Sequence, residues 1–171
     1  AIEKVTGGAK YTADLEPKGL LVAKVVRSTI ANGVVKSFDL EAALAVPGVV
    51  KIVTCFDVPD IQFPTPGHPW SVETAHQDIA DRKLLNTRVR VYGDDIAAVI
   101  AEDEIAASRA ARLVKVEYEE YEPMLTVEAA MAEGATVLHE EKPGNIIAHS
   151  SFVVGEGTYQ EAVEGEYVVE I

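Results

Sequence analysis

Residues 95–122, DIAAVIAEDEIAASRAARLVKVEYEEYE, change their hydrophobic period twice within one short span. The run from Asp95 to Glu102 is almost wholly apolar and of strand length. Asp103 then stands where a carboxylate can cap a helix, and EIAASRAARLV has helical spacing, with Ala106, Ala110 and Leu113 on one face and Arg109 and Arg112 turned toward solvent. From Lys115 the chain alternates apolar and acidic residues, as a strand with one wet face does. The stretch predicts strand, helix, strand, and its small alanines would let the helix sit close on a sheet.

A unit of the same design precedes it. GLLVAKVVRST (19–29) and VVKSFDL (34–40) read as strands, joined by Asn32-Gly33, a dipeptide that favours a hairpin turn. Asp39 is placed to cap a short helix, LEAALAV, which Pro47-Gly48 ends before VVKIVTC (49–55) returns as a strand. A third helix, VEAAMAE, is predicted between a Thr126 cap and a Gly134 stop. NIIAHSSFVVGE and GEYVVEI are strand-like runs on either side of a possible helical turn, TYQEAV. Together these elements predict an α+β fold with two strand-helix-strand units. Between Cys55 and Leu84 no period is visible, and Pro59, Pro64, Pro66 and Pro69 punctuate the stretch. A loop this long is functional or disordered more often than incidental, and Phe63 and Trp70 are large enough to pin it by burial.

At 171 residues the chain has the length of one domain with its own core, and 48% hydrophobic against 25% charged residues is globular composition. No apolar run is long enough for a membrane helix, and the sole cysteine, Cys55, excludes an internal disulfide and suits a reducing cytoplasm. The net charge of −13 is concentrated in residues 101–171, which carry four basic and sixteen acidic side chains. Such a surface repels phosphate backbones and anionic lipid, so neither nucleic acid nor membrane is an expected partner. The chain opens at Ala1 without methionine and stops within an apolar run at Ile171, so both ends are expected to be cuts from a longer polypeptide.

The residues that could carry chemistry do not assemble into a motif. His68 and His76 supply half a zinc site, and His139 or His149 could complete it only if folding brought them near. Ser71 has no nucleophile elbow around it, and Cys55, at the end of a predicted strand, reads as a small buried hydrophobe. VVGEGTYQEA has Gly155 and Gly157 after a strand, but Gln160 replaces the third glycine and Glu156 would face a pyrophosphate. Gly7-Gly8 reads as a turn, Asp94-Asp95 as turn chemistry, and Glu117, Glu119, Glu120 and Glu122 as the wet face of a strand. No catalytic, cofactor-binding or metal-binding residue is assigned on these grounds.

Several segments in order nevertheless resemble a known family. KVTGGAKYTADL (4–15), GLLVAKVVRSTIANG (19–33), ALAVPGVVKIVTCFDVPD (43–60), RVRVYGDDIAAVIAEDEIAASRAARLVKVEYEEYEP (88–123) and HEEKPGN (139–145) are similar to the N-terminal part of the molybdenum-binding large subunit in the xanthine dehydrogenase and aldehyde oxidase family. FPTPGHPWSVETAHQDIADRKLL, with its glycine-histidine, tryptophan and A-D-R succession, resembles the bacterial xanthine dehydrogenase branch. Thr29 stands where members commonly have proline after R-S, and Asn32-Gly33 occupies a turn that is often histidine-rich, which would alter a hairpin only.

The resemblance implies an α/β hammerhead domain over 1–171, a mixed sheet with packed helices and a protruding β element, with 145–171 beginning the connection to a following domain. It implies a cytoplasmic parent enzyme that hydroxylates hypoxanthine or xanthine with oxygen from water at a molybdopterin-molybdenum centre and passes electrons through 2Fe-2S clusters to FAD and NAD. Those groups would sit on other domains of the subunit or on FAD-binding and iron–sulfur partner subunits, leaving this domain structural and inert alone. The alternatives are a molybdenum hydroxylase of the same superfamily acting on an aldehyde or another N-heterocycle, and a stand-alone module whose 59–83 loop binds a small ligand.

Overall fold

The computed structural model of the chain describes residues 2–64 and 79–147. Six strands run through it: β1 (Val22–Arg27), β2 (Gly33–Asp39), β3 (Val49–Thr54), β4 (Arg88–Val89), β5 (Asp95–Ala101) and β6 (Lys115–Glu120). Four helices accompany them: α1 (Ile2–Val5), α2 (Glu41–Leu44), α3 (Glu104–Ala111) and α4 (Val127–Met131).

The α+β class holds, with one correction: the strands form two three-stranded sheets, β1-β5-β3 and β4-β2-β6, in which every pairing is antiparallel. A mixed sheet was the expectation that came with the hammerhead resemblance, and the joining of strands through helices would ordinarily lay them parallel in one sheet. Here each helix instead carries the chain from one sheet to the other. Strand β2 lies in the second sheet and β3, after α2, in the first, while β5 lies in the first and β6, after α3, in the second. The strands of one unit therefore pair with strands of the other and not with each other, Val53 opposite Ala98 and Phe38 opposite Val116, while β1 and β4 extend the two sheets.

The hairpin expected at Asn32-Gly33 does not form, since β1 and β2 belong to different sheets. The linker between them crosses from sheet to sheet and is fastened at both ends. The Ser28 amide donates to the Asp94 carbonyl at 2.8 Å, and the Asn32 side chain donates to the Glu122 carbonyl at 2.7 Å. Gly33 then enters β2 so close to β6 that a Cβ there would run into the Glu119 carbonyl oxygen and Ile30 Cδ1. Arg88 ties the second sheet together from β4, donating to the Gly33 carbonyl at 3.0 Å with its guanidinium 5.3 Å from the centre of the Tyr121 ring.

The core lies between α3 and the first sheet. Ala97, Val99 and Ala101 alternate along one face of β5 and are fully buried, as are Ala107 and Ala110 of α3 above them. The helix face differs from the expected one by a quarter turn: Ala106, Ala107 and Ala110 make it, whereas Leu113 lies beyond the last helical turn and is exposed. Val35, Val89 and Ile96 complete the core, each side chain contributing about 1.5–3 kcal/mol by leaving water.

The caps follow the sequence closely. Asp103 accepts from the Ala106 amide at 2.8 Å and Thr126 from the Ala129 amide at 3.1 Å. Asp39 sits one residue ahead of the Leu40 cap position of α2 and accepts from the Glu41 amide at 3.2 Å. Gly48 and Gly134 take the left-handed conformation after their helices, and Gly7 does so after α1, a short helix that the sequence reading did not anticipate.

Gly33→Ala is expected to destabilise the fold by about 1–3 kcal/mol, because the obstacle is backbone on the neighbouring strand. Gly8→Ala, whose added Cβ would meet nothing nearer than 3.7 Å, should change stability by less than about 0.5 kcal/mol. Urea denaturation of the two variants side by side checks both.

Candidate functional site

The polar interior is gathered at one corner, where the turn before β5 meets the root of the long loop. Gly93, at φ 92°, lets the chain turn tightly after β4, so that Asp94 points inward. Its side chain is 3% exposed, and one oxygen takes Arg82 Nη1 at 2.5 Å. The other oxygen accepts the Arg90 and Val91 amides at 2.8 and 3.2 Å. Ser28 braces the turn from the sheet-to-sheet linker, its hydroxyl accepting from the Gly93 amide at 3.1 Å. Asp94 is thus turn chemistry, as expected, and also the anchor of a buried ion pair that sequence did not reveal.

Arg82 connects this turn to the loop. Its amide donates to the Phe63 carbonyl at 3.1 Å, and the Phe63 amide donates back to the Arg82 carbonyl at 2.9 Å. This two-way bridge closes the neck of the excursion that contains residues 65–78. On the other side Arg90 reaches across two segments, Nε donating to the Leu138 carbonyl at 2.8 Å and Nη1 to the Asp81 carbonyl at 3.3 Å. His139 Nδ1 lies 3.5 Å from Asp81 Oδ2, both side chains being largely buried. Asn145, at φ 57°, locks the same region from below: its amide group donates to the Ala130 and Thr136 carbonyls at 2.8 and 3.0 Å, and its oxygen accepts from the Leu138 amide at 2.8 Å.

These residues enclose a cavity of about 130 Å³ lined by Asp81, Arg82, Arg90, Asp94 and His139 among others. That is well below the roughly 300–1,000 Å³ of a typical small-molecule site. The Arg82, Arg90 and Asp94 side chains are committed to partners within the chain, so the corner is built to hold segments together. Two stretches of the resemblance meet in it, the A-D-R succession at 80–82 and HEEKPGN at 139–145. Sequence reasoning placed no role on Arg82, Arg90 or Asn145. Only the Pro143-Gly144 pair ahead of Asn145 hinted at a special backbone there.

Of the residues weighed for chemistry, His139 finds Asp81, while His68, His76, His149, Ser71, Trp70, Gly155, Gln160, Glu156 and Gly157 lie outside the described residues. Among the described residues, no group of three histidine, cysteine or acidic side chains is arranged to hold a metal ion. Cys55 is buried at the end of β3, and burial pushes its thiol up to about 11. The β6 carboxylates face water and neighbouring strands: Glu119 pairs with Lys36 at 2.7 Å, and Glu117 accepts from the Ser37 hydroxyl at 2.7 Å. The Lys36 hydrogen bond and charge hold Glu119 below the usual carboxylate range and raise the lysine in turn.

Residues 6–122 match the family described as aldehyde oxidase and xanthine dehydrogenase, a/b hammerhead domain. The chain is 46% identical over 155 residues to the xanthine dehydrogenase molybdenum-binding subunit of Escherichia coli O157:H7, which covers 91% of this chain and 20% of that protein. It is 32% identical to the carbon monoxide dehydrogenase large chain of Hydrogenophaga pseudoflava, over 82% of this chain and 17% of the other. Among solved structures, the aldehyde oxidoreductase from Desulfovibrio gigas superposes with a TM-score of 0.71 at 36% identity, over 83% of this chain and 16% of that one. The chain spans about a fifth of the length of the curated relatives it matches.

Asp94→Ala should cost about 3 kcal/mol, the low end for removing one partner of a buried pair, because Arg82 is one-third exposed. Chemical denaturation reads the loss. Cys55 should resist a thiol-specific disulfide reagent at pH 8 in the native chain and react stoichiometrically once unfolded, because the thiolate is the reactive form.

Proposed function

The chain belongs to the aldehyde oxidase and xanthine dehydrogenase hammerhead family, and from that premise we propose that it is the hammerhead domain of a xanthine dehydrogenase molybdenum-binding subunit. The observation that carries this reading is the 46% identity to the Escherichia coli subunit along 91% of the chain, against 32% to the carbon monoxide dehydrogenase chain. In this reading the whole enzyme hydroxylates hypoxanthine or xanthine with oxygen from water, and the electrons leave through 2Fe-2S clusters to FAD and then NAD on other domains or subunits.

The inner cavity of the Arg82–Asp94 corner does not fit the molybdenum cofactor. The 130 Å³ cavity is too small for a pterin, the cations named at that corner are engaged by Asp94, Asp81 and Leu138, and Cys55 is held as a buried thiol. No step of the reaction is therefore assigned to a residue here. In this reading the domain's part is mechanical: its two sheets interlock through the β3–β5 and β2–β6 ladders, and the Phe63–Arg82 bridge, held by Asp94, brings together the residues on either side of the 65–78 segment. That excursion carries the segment with the xanthine dehydrogenase resemblance, which supports a role for the domain in contacting the subunit's remaining domains or its partners.

A second reading keeps the superfamily and changes the substrate, supported by the TM-score of 0.71 to an aldehyde oxidoreductase. One experiment tests both. The complete reading frame that encodes this chain is expressed with its neighbouring FAD and iron–sulfur genes and assayed with hypoxanthine, xanthine and a panel of aldehydes. Turnover of the purines is expected, and turnover of aldehydes alone would replace the first reading with the second. The 171-residue chain by itself should contain no stoichiometric molybdenum by elemental analysis; finding it would overturn the assignment of the cofactor to other domains.

A further inference from the structure

Between β1, β6 and α3 runs a groove of about 450 Å³. Four consecutive β1 residues, Lys24 to Arg27, line it together with Thr29. Successive strand residues point to opposite faces, so a concavity touched by all of them follows the strand's edge. That edge is unpaired in the sheet, since β1 has β5 on one side and no strand on the other among the described residues. The opposite wall is apolar, formed by Val114, Val116 and Tyr118 from the approach to β6 and from its inner face, and α3 closes the end with Ser108, Ala111 and Arg112.

The charge of this groove runs against that of the chain. Lys24, Arg27 and Arg112 line it and no carboxylate does, on a polypeptide of net charge −13. Arg27 is partly offset by Asp95 at 3.3 Å, whereas Lys24 and Arg112 have no ion-pair partner among the described residues. Native folds usually blunt a free strand edge with charge or cover it, and a strand edge beside an apolar wall is the geometry by which an extended peptide is added to a sheet. Cations on the rim select its sign.

We propose that the groove beside β1 receives an extended acidic segment of a partner polypeptide, which adds as a further strand to the free β1 edge with alternate apolar side chains against Val116 and Tyr118. At roughly 3.3 Å per residue the edge from Lys24 to Arg27 accommodates about four residues of that segment. A second copy of this chain is the poorer occupant, because pairing β1 with β1 would bring Lys24, Arg27 and Arg112 of both copies together. The inference is independent of which substrate the whole enzyme oxidises.

The test uses the 171-residue chain and a fluorescein-labelled peptide of alternating glutamate and valine, seven residues long, read by anisotropy and by amide hydrogen exchange. Saturable binding is expected, with slower exchange at Lys24–Arg27. The paired substitution Lys24→Gln and Arg112→Gln should weaken it about three- to tenfold, as the loss of two solvent-exposed ion pairs would. These changes leave the core intact, and the circular dichroism melt of the variant verifies it. Replacing the central valine by proline, which removes a backbone donor, should weaken binding as well. Equal binding of a lysine-valine peptide, indifference to the double substitution, absence of saturable binding, or a sedimentation dimer that protects β1 without peptide would each overturn the proposal.

Discussion

Cross-pairing between the two strand-helix-strand units is the constraint on which the rest of this structure depends. Because α2 and α3 each move the chain from one sheet to the other, neither unit can satisfy its strand hydrogen bonds alone. The β3–β5 and β2–β6 ladders form only when both units are present and in register. The backbone groups of β2, β3, β5 and β6 thus link residues far apart in sequence, and the alanine face of α3 closes over β5 at their junction. Substitutions that disturb one ladder should be felt in both sheets, because the shared helices transmit the displacement through close-packed side chains.

This interlock explains where the polar interior lies. The linker from β1 to β2 and the turn from β4 to β5 both pass between the sheets, and their backbone groups must be satisfied there without regular structure. Asp94 and Ser28 do this for the turn, and Asn32 does it at the end of β6. Arg82 and Arg90 extend the same network outward to the Phe63–Arg82 neck and to Leu138. The network is costly to break and has little room inside, which suits a corner that positions a loop and does not suit a pocket that binds a cofactor.

The architecture of the described residues is that of the hammerhead family to which the chain belongs. The described residues offer no metal cluster, the one cysteine is held protonated by burial, and none of the described helices is long and apolar enough to cross a membrane. What the described residues do offer are the Phe63–Arg82 bridge held by Asp94 and the cationic groove along β1.

The local elements were legible in the sequence because their signals are local. Period-2 alternation located β6, the apolar run located β5, and Asp103, Thr126, Gly48 and Gly134 marked helix ends through hydrogen bonds and backbone conformations set within a few residues. Asn32-Gly33 misled for the opposite reason: its turn preference is local and tertiary packing overrides it, Gly33 being needed instead for its approach to the Glu119 carbonyl on a strand more than eighty residues away. The choice of two antiparallel sheets over one mixed sheet, the burial of Asp94 with Arg82, and the groove between β1 and β6 belong to the tertiary structure alone. Each depends on which distant segments pack together, and hydrophobic period records only that a face is to be buried, not which partner will bury it.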